Sequence, residues 1–477
     1  MPKPTFYRGL IPASSASKLA AVLSACLLVI LTACGGSSSS TPTPTPTTQS
    51  STVQVNMGDA PADWMLAFAM NITSMNLTGS NGSVGVVSAS LPVEMIHRLG
   101  IMEPIAMVPV PQDTYNGATI TIASCNVSYL DPNTKAMVQK TIQGPFTAKI
   151  DFTSPVTVGA TPYAFNFDLD LEKSVTMDNS GNLSFSPTFQ TSAGLQGAGA
   201  GNGSRNGGMQ QMLGVVSNAS ATSFSIVPLQ ATNTFTFKVN SATQFQGKVS
   251  NMSMVATGMG VLVTASLQSD GTLLATRIRS RMNSGGIMGG GIITQVVGMP
   301  ATQLTLVMQN GAGASLMTSY LSQPLTVNLT SSTEYEIDDD RVDLTGLPVT
   351  PAFDASHIYA GQSVLPISEA TGIAVSGSAG SVGTITASDV RLQEQGFRGT
   401  TDVTITPGSS GSFVLTLLPG CAFTTLTGAT TIQVYQQTAT NVESATAIPA
   451  GTTLRVHGLL FQNAGQWVFV ASTIAAS

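Results

Sequence analysis

Short runs rich in Val, Ile, Thr and Phe, separated by Gly, Asn and Pro, constrain the fold of this chain more than any other feature. Runs of about four to eight such residues predict β-strands, and the intervening Gly, Asn and Pro predict turns. Only 9% of the 477 residues are charged and 47 are Gly, which suits extracytoplasmic β structure better than a helical bundle. The pattern predicts an all-β protein, with one short helix expected at 91–100, between Pro92 and Gly100.

Residues 1–33 have the features of a secretion signal, with three basic residues, no acidic residue and an apolar run from Leu19 to Leu31. The run ends in Leu-Thr-Ala-Cys, which resembles the lipobox of bacterial lipoproteins and implies cleavage before Cys34 and lipidation of its sulfur. The Ser/Thr/Pro-rich segment 34–52 predicts a flexible tether. Because Gly35 follows the Cys, we expect a lipid anchor in the outer membrane or at the cell surface. An ordinary signal peptide or a single membrane anchor is the alternative.

The charge of the mature chain excludes one class of partner. Removing the signal takes three of the 18 Lys and Arg and none of the 24 Asp and Glu, which leaves a net charge of −9. Nucleic-acid binding requires a basic surface, so no nucleic acid is expected as a partner. Of the four cysteines, Cys125 and Cys421 remain after loss of the signal and lipidation. They are two buried small residues or a pair, and the sequence leaves both open.

Two Gly-rich segments, 191–213 and 283–291, predict linkers that divide the body. The three segments 214–282, 292–394 and 395–477 share one order of elements. Each has an opening strand, an apolar strand that runs into a Thr-rich turn, a Gly-led strand and an Ala- or Ser-led last strand. The Gly that opens the third of these elements lets the strand bend, which suits a small closed barrel. We therefore predict an N-terminal β-sandwich-like domain followed by two or three small β-barrel-like repeats.

Two family resemblances extend this division. Segment 53–190 resembles the domain-of-unknown-function family 4382 of bacterial and archaeal surface lipoproteins. The matching motifs are "GDAPAD" after the first strand, "AMNITSMNLTG", "VPQDTYNGATITI" and "FNFDLDLEKSVTM". The later segments resemble the family 5666 repeat, which is also of unknown function. Neither resemblance implies an activity, a cofactor or a catalytic residue.

The segment "FNFDLDLEKS", residues 165–174, places three carboxylates on alternate positions. Period-two alternation predicts a half-buried strand whose Phe and Leu side chains point inward and whose acids meet solvent. Asp168, Asp170 and Glu172 are candidates for a calcium site that adjacent turns would complete. They are also the candidates for catalysis, but paired catalytic carboxylates flank a bond from opposite sides, whereas these lie side by side. The pattern favours a plain polar face, with no catalytic residue.

Two other acidic segments allow similar alternatives. Asp59 in "GDAPAD" is expected to cap a turn by accepting a backbone N–H, and a metal or ligand contact is the alternative. The run "EYEIDDDRVD", residues 334–343, lacks the Gly and the closing Glu of an EF-hand loop. It predicts a solvated loop, with an adventitious calcium site as the second interpretation.

The histidines give no indication of a catalytic or zinc site. His97, His357 and His457 lie in different segments, and no Gly-x-Ser-x-Gly motif accompanies any of them. The 20 methionines are better explained as core filling than as a Cu(I) site.

Taken together, the tether, the repetition and the lack of a catalytic constellation favour a non-enzymatic binding or structural role at the cell envelope. Polysaccharide or another envelope protein is the expected partner, and no cofactor other than calcium is expected. The alternatives are an envelope polysaccharide hydrolase that uses the acids of the 165–174 strand, and a calcium-stabilised adhesin.

Overall fold

The computed structural model consists almost entirely of β-strands, which confirms the all-β prediction. It describes one folded unit through the following residues: 49–60, 62–98, 101–178, 180–195, 208–313, 319–369, 374–375 and 383–477. The predicted signal, Cys34 and most of the predicted tether lie outside the described residues, and the tether's last residues already belong to the first strand. Among the described residues, no helix is long and apolar enough to cross a bilayer.

The N-terminal module is a sandwich of two sheets. Its elements are β1 (Ser50–Ala60), β2 (Met65–Gly79), β3 (Gly82–Val87), β4 (Leu91–Glu94), a 3-10 turn (Ile96–Arg98), β5 (Glu103–Pro111), β6 (Asp113–Leu130), β7 (Met137–Val158), β8 (Tyr163–Asp170), α1 (Leu171–Ser174), β9 (Val175–Met177), β10 (Leu183–Phe185) and β11 (Phe189–Leu195). One sheet has the order β11-β8-β1-β5 and the other β3-β2-β6-β7, with β4 also beside β2. Apolar side chains from both sheets form one core, so the predicted sandwich is confirmed.

The helix predicted at 91–100 is wrong. Leu91–Glu94 pairs with β2 as a strand, and only the 3-10 turn Ile96–Arg98 follows it. β4 has a neighbour on one side only, and Pro92 is tolerated at such an edge because its missing N–H costs no ladder hydrogen bond there.

Three repeats follow the N-terminal module. Repeat 1 contains β12 (Gly208–Ala219), β13 (Ser223–Pro228), β14 (Phe235–Lys238), β15 (Gln244–Gln246), a 3-10 turn (Met252–Met254), β16 (Gly260–Leu267) and β17 (Leu273–Met282). Repeat 2 contains β18 (Ile287–Val297), β19 (Gln303–Ala312), β20 (Pro324–Asn328), β21 (Glu334–Ile337), β22 (Ser363–Ser368), β23 (Ala374–Val375), β24 (Gly383–Thr386) and β25 (Asp389–Leu392). Repeat 3 contains β26 (Gln395–Thr401), β27 (Gly411–Leu417), α2 (Ala422–Thr427), β28 (Thr431–Gln436), β29 (Asn441–Val442), β30 (Thr453–Asn463) and β31 (Gln466–Ala476).

All three repeats pair their strands in the same way. In repeat 1, β14 also pairs with β17, which closes the order β14-β13-β12-β16-β17 into a five-stranded barrel. Repeat 3 closes through β28 and β31. In repeat 2 the last strand is split into β24 and β25, which pair with β20 and β22 respectively and complete the same ring. The barrel-like repeats are therefore confirmed.

One threonine fixes the same turn in each repeat. Its hydroxyl oxygen accepts the backbone N–H of the residue three positions earlier, and the hydroxyl donates to the carbonyl of an Ala in or beside the last strand. The threonines are Thr243, Thr333 and Thr440, and their bonds to Ala275, Ala387 and Ala471 measure 2.7, 2.8 and 2.8 Å. The Thr-rich turn seen in the sequence therefore joins the short strand of each barrel to its last strand.

The linker predicted at 283–291 is wrong from Ile287 onward, because β18 begins there. Ile287 and Met288 are buried, and a Cβ on Gly291 would overlap the carbonyl oxygen of Val307 on the neighbouring strand. The glycines therefore allow two backbones to approach at a bulge. The other predicted linker, 191–213, begins and ends in strands β11 and β12, and 196–207 lies outside the described residues.

Candidate functional site

The acidic segment exposes Glu172 to solvent as expected, but the two acids of strand β8 are partly or fully buried, so that part of the prediction is wrong. Its Phe and Leu side chains enter the core as expected, but Asn166 and Asp170 are also buried, with exposed fractions of 4% and 6%. β8 is an interior strand with β1 and β11 on either side. Its polar face continues into an amide ladder, in which Asn56 donates to Asn166 at 2.8 Å and Gln54 donates to Asn56 at 2.7 Å.

Two of the three calcium candidates of this segment contact cationic side chains of the chain itself. Asp170 accepts the backbone N–H of Lys173 at 3.1 Å and pairs with its Nζ at 2.6 Å. Glu172 is 64% exposed and accepts from Arg398 at 2.9 Å. Asp168 is partly buried and lies beside Gly58 of β1. Two of the three carboxylates therefore serve as ion-pair partners.

Arg398 joins repeat 3 to the N-terminal module. Its Nε and Nη2 donate to one carboxylate oxygen of Asp63 at 2.9 and 2.7 Å, and its Nη1 reaches Glu172. Burial alone would lower the pKa of Arg398, but the two carboxylates raise it above its ordinary value. Asp63 of the "GDAPAD" motif is therefore part of a contact between modules.

Asp59 does not cap a turn, so its predicted role is wrong. β1 continues through this residue to Ala60, which leaves no turn for the carboxylate to hold. The side chain is buried, and neither of its oxygens has a hydrogen-bond partner among the described residues. Burial, followed by the charges of Asp168 and Glu94, raises the pKa of Asp59 well above its ordinary value.

The N-terminal module and all three repeats meet around a cavity of about 170 Å³, here called the junction cavity. Charged and polar side chains from every module line it: His97, Arg98, Glu103, Arg281, Asp338, Glu394 and His457. The cavity has the volume of about five or six water molecules. Ligand pockets begin at about 300 Å³, so it is too small for an oligosaccharide.

The N-terminal wall of the junction cavity is a closed ion-pair cluster. The two ring nitrogens of His97 lie 2.7 Å from Glu94 and 3.1 Å from Glu103, and Arg98 lies 3.0 Å from Glu103. Burial alone would raise the pKa of Glu103, but Arg98 and His97 lower it to about 2. Burial alone would lower the pKa of His97, but Glu103 and Glu94 raise it. The imidazole is thus held between two carboxylates, and both of its ring nitrogens have a partner.

The boundary between repeats 2 and 3 contributes a second histidine–carboxylate pair to the junction cavity. Glu394 lies 2.7 Å from His457 and accepts the hydroxyl of Ser472 at 2.6 Å. Burial alone would raise the pKa of Glu394, but its bond to His457 and the charge of that residue lower it to about 2. Ser472 donates to the carboxylate and not to the imidazole, so the three do not form a nucleophile and its base. His357 lies at the surface, 2.9 Å from Asp354.

Four buried glutamines connect the modules, and sequence reasoning did not find them. Each donates or accepts across a module boundary through its side-chain amide; they are Gln230, Gln309, Gln362 and Gln395. Gln230 accepts the N–H of Glu94 at 2.7 Å and donates to the carbonyl of Gln309 at 3.0 Å. Glutamine is usually a surface residue, so composition gives no signal for this role.

The acidic run 334–343 is only partly a solvated loop. Asp338 is buried and pairs with Arg279 at 2.7 Å and with Arg281, both from repeat 1. Asp340 also pairs with Arg279, at 2.7 Å. The prediction is wrong for Asp338, because arginines from another barrel cover it.

The same run contributes to the one group of three metal-ligating side chains found among the described residues. Glu334 and Glu336 of β21 and Asp389 of β25 place carboxylate oxygens within 4.8 Å of one another. Arg391 pairs with Glu336 at 2.5 Å and with Asp389 at 3.1 Å. The arginine therefore offsets part of the negative charge that a cation would otherwise neutralise.

The two cysteines of the body are not paired. Cys125 and Cys421 are both free and buried, which confirms the interpretation of two buried small residues. Burial raises the pKa of both thiols, that of Cys421 to about 11. Neither is a reactive thiolate near neutral pH.

Comparison with known proteins identifies one part of the chain. Residues 214–279, nearly all of repeat 1, match the family described as "Domain of unknown function (DUF5666)". This confirms the resemblance for the first repeat. A search of curated proteins finds none that matches.

Proposed function

We propose that the protein is a lipid-anchored component of the cell envelope with a non-enzymatic binding or structural role toward polysaccharide or an envelope protein. The observation that carries this proposal is that the buried ionisable and amide side chains form structural contacts within and between modules. The buried ion pairs at Asp63, His97, Asp338 and Glu394 hold modules or module walls together. Side chains that catalysis would require serve structural contacts instead.

The anchor rests on the sequence around Cys34. The lipobox-like Leu-Thr-Ala-Cys, the apolar run before it and the tether after it support attachment to the outer membrane or the cell surface. Cys34→Ser is expected to abolish incorporation of labelled lipid and to release the protein from the membrane fraction. Labelling that persists in this variant would place the anchor elsewhere.

We also propose that segment 53–190 belongs to family 4382 and that repeats 2 and 3 are diverged copies of the family 5666 unit. The motif "GDAPAD" and the strand "FNFDLDLEKSVTM" support the first assignment. The shared strand pairing and the repeated threonine turn support the second.

The binding role is tested with the purified full chain on an array of polysaccharides and on envelope fractions. We expect retention of at least one glycan or envelope component and no release of reducing ends. Turnover by the parent protein that is lost on alanine substitution of Asp168, Asp170 or Glu172 would instead establish the polysaccharide hydrolase.

A calcium-stabilised adhesin is the second candidate function, and the group formed by Glu334, Glu336 and Asp389 favours it. Calcium takes six to eight oxygens at about 2.3 to 2.6 Å, so these carboxylates would supply part of the shell. Melting the full chain with calcium and with a chelator tests this idea. Coincident melting curves would remove it.

A further inference from the structure

A second cavity, which is open to solvent, lies between repeat 1 and the loop that follows β21 in repeat 2. This inter-repeat groove has a volume of about 410 Å³ and is lined chiefly by polar side chains: Gln244, Thr264, Thr276, Arg277, Asp340 and Arg341. Its volume lies within the range of about 300 to 1,000 Å³ that is typical of ligand pockets. The groove therefore has room for a sugar residue.

Three strands place hydrogen-bonding groups in a row along the groove. Gln244 of β15 lies beside Arg277 of β17 in parallel register, and Thr264 of β16 lies on the other side of Arg277 in antiparallel register. Side chains at paired positions share a face, and neighbouring strands are about 4.8 Å apart. The row thus offers an amide, a guanidinium and a hydroxyl across a span of about 10 Å.

In the part of the chain that the structure describes, two of these groups have no other side-chain hydrogen bond, and the third, Arg277, has only a long ion pair. No hydrogen bond there uses the side-chain amide of Gln244 or the hydroxyl of Thr264. Arg277 is 33% exposed, and its Nη1 lies 3.7 Å from Asp340, beyond hydrogen-bond distance. Asp340 is instead bound by Arg279 at 2.7 Å. The guanidinium of Arg277 retains its capacity to donate to a ligand.

The charge of the groove indicates which class of ligand it can bind. Arg277 and Arg341 line it as cations, while Asp340, the carboxylate among its lining residues, already pairs with Arg279. The groove is therefore a local cationic site on a chain with a formal net charge of −6. A guanidinium binds a carboxylate through two parallel hydrogen bonds, whereas amide and hydroxyl groups match the hydroxyls of a sugar ring.

We propose that the inter-repeat groove binds a carboxylate-bearing polysaccharide, with Arg277 on the carboxylate and Gln244 and Thr264 on ring hydroxyls. This inference rests on the proposed binding role and names its ligand class. The described residues that line the groove include no aromatic ring, so charge and hydrogen bonds carry recognition. Affinity is therefore expected to fall as salt concentration rises.

The test uses the purified full chain and immobilised polygalacturonate, with methyl-esterified polygalacturonate as the matched neutral ligand. The parent protein is expected to bind the acid form and not the ester. Arg277→Gln is expected to weaken binding by about tenfold or more, the loss associated with a charged hydrogen-bonded pair. Lys238→Gln removes an exposed cation that pairs with Asp270 at 3.3 Å, and it is expected to leave binding unchanged.

Three outcomes separate this inference from the proposed function. Equal binding by the parent and by Arg277→Gln would overturn the groove assignment and leave the binding role intact. Binding of neutral glycans or of an envelope fraction, without binding of polygalacturonate, would have the same consequence. Binding of no glycan and no envelope fraction would overturn both. Melting temperatures of the two variants establish that both are folded, since both positions are partly exposed.

Discussion

The interiors of the three barrels and the junction between the modules are held together by different means. Each barrel interior is apolar and contains the same local device, a threonine that bonds within its turn and to the last strand. The junction combines apolar clusters that span modules with polar contacts between residues far apart in the chain, such as Asp63 with Arg398 and Arg279 with Asp338. Local pattern therefore builds the units, and long-range contacts, in which charge pairs supplement apolar clusters, assemble them.

The largest effect is expected from Arg281→Ala at the junction. Removal of one partner of a buried ion pair costs about 3 to 5 kcal/mol, because the other charge stays buried. Asp338 keeps its ion pair with Arg279, so we expect a loss of about 3 kcal/mol in the free energy of unfolding. Denaturant titration of the full chain measures this loss. Lys238→Ala, which breaks an exposed pair, serves as control and is expected to cost less than about 1 kcal/mol. Equal losses in the two variants would contradict a buried polar junction.

Acid is expected to weaken the junction through Glu103. Its pKa is lowered to about 2 from the 4.5 of an unperturbed Glu, so its contribution is present above pH 4.5 and is lost as pH falls toward 2. The shift corresponds to about 3 kcal/mol. The difference in free energy of unfolding between the parent and Glu103→Gln should shrink by that amount over this interval. A difference that stays constant would show that Glu103 is not paired in solution.

Gln230→Ala tests a neutral contact of the junction. It leaves the buried N–H of Glu94 and the buried carbonyl of Gln309 without partners, at a cost of about 1 to 3 kcal/mol. Gln433→Ala, which removes one partly buried bond inside repeat 3, is the matched control and should cost less. Unfolding monitored by tryptophan fluorescence and by far-UV circular dichroism measures both.

The smallest effect is expected inside a barrel. Thr440→Val keeps the shape of the side chain but removes its bonds to Gln437 and Ala471, for an expected loss of about 1 to 2 kcal/mol. Hydrogen exchange should increase locally, at the amides of β29 and β31, and not across the junction. Increased exchange at the amides of Glu94 or Gln309 would mean that the local stabilities of the barrel and of the junction are not independent.

The same division explains how much of the molecule the sequence predicts. The inward side chains of β8 and the threonine turns follow from period-two alternation and short spacing, so they are readable locally. The burial of Asp338 and the bond from Gln309 to Leu66 depend on residues 57 and 243 positions away. Solvent exposure cannot be inferred from alternation when neighbouring strands hydrogen-bond a polar side chain, as Asn56 and Ser192 do with Asn166 of β8.

The strand Ile287–Val297 shows that the role of a glycine also cannot be predicted from local sequence alone. Its glycines have the composition of a linker, yet they lie in a buried strand because neighbouring backbones approach closely there. A Gly-rich composition indicates a flexible backbone. It does not indicate that two strands approach closely, because that contact depends on a partner strand distant in the sequence.

Calorimetric unfolding of the full chain tests the central claim, that the polar junction couples the four modules into one body. We expect a single transition whose calorimetric and van't Hoff enthalpies agree in the parent protein. In Arg281→Ala that transition should move to lower temperature and separate into more than one. Several independent transitions in the parent, unchanged by Arg281→Ala, would contradict it.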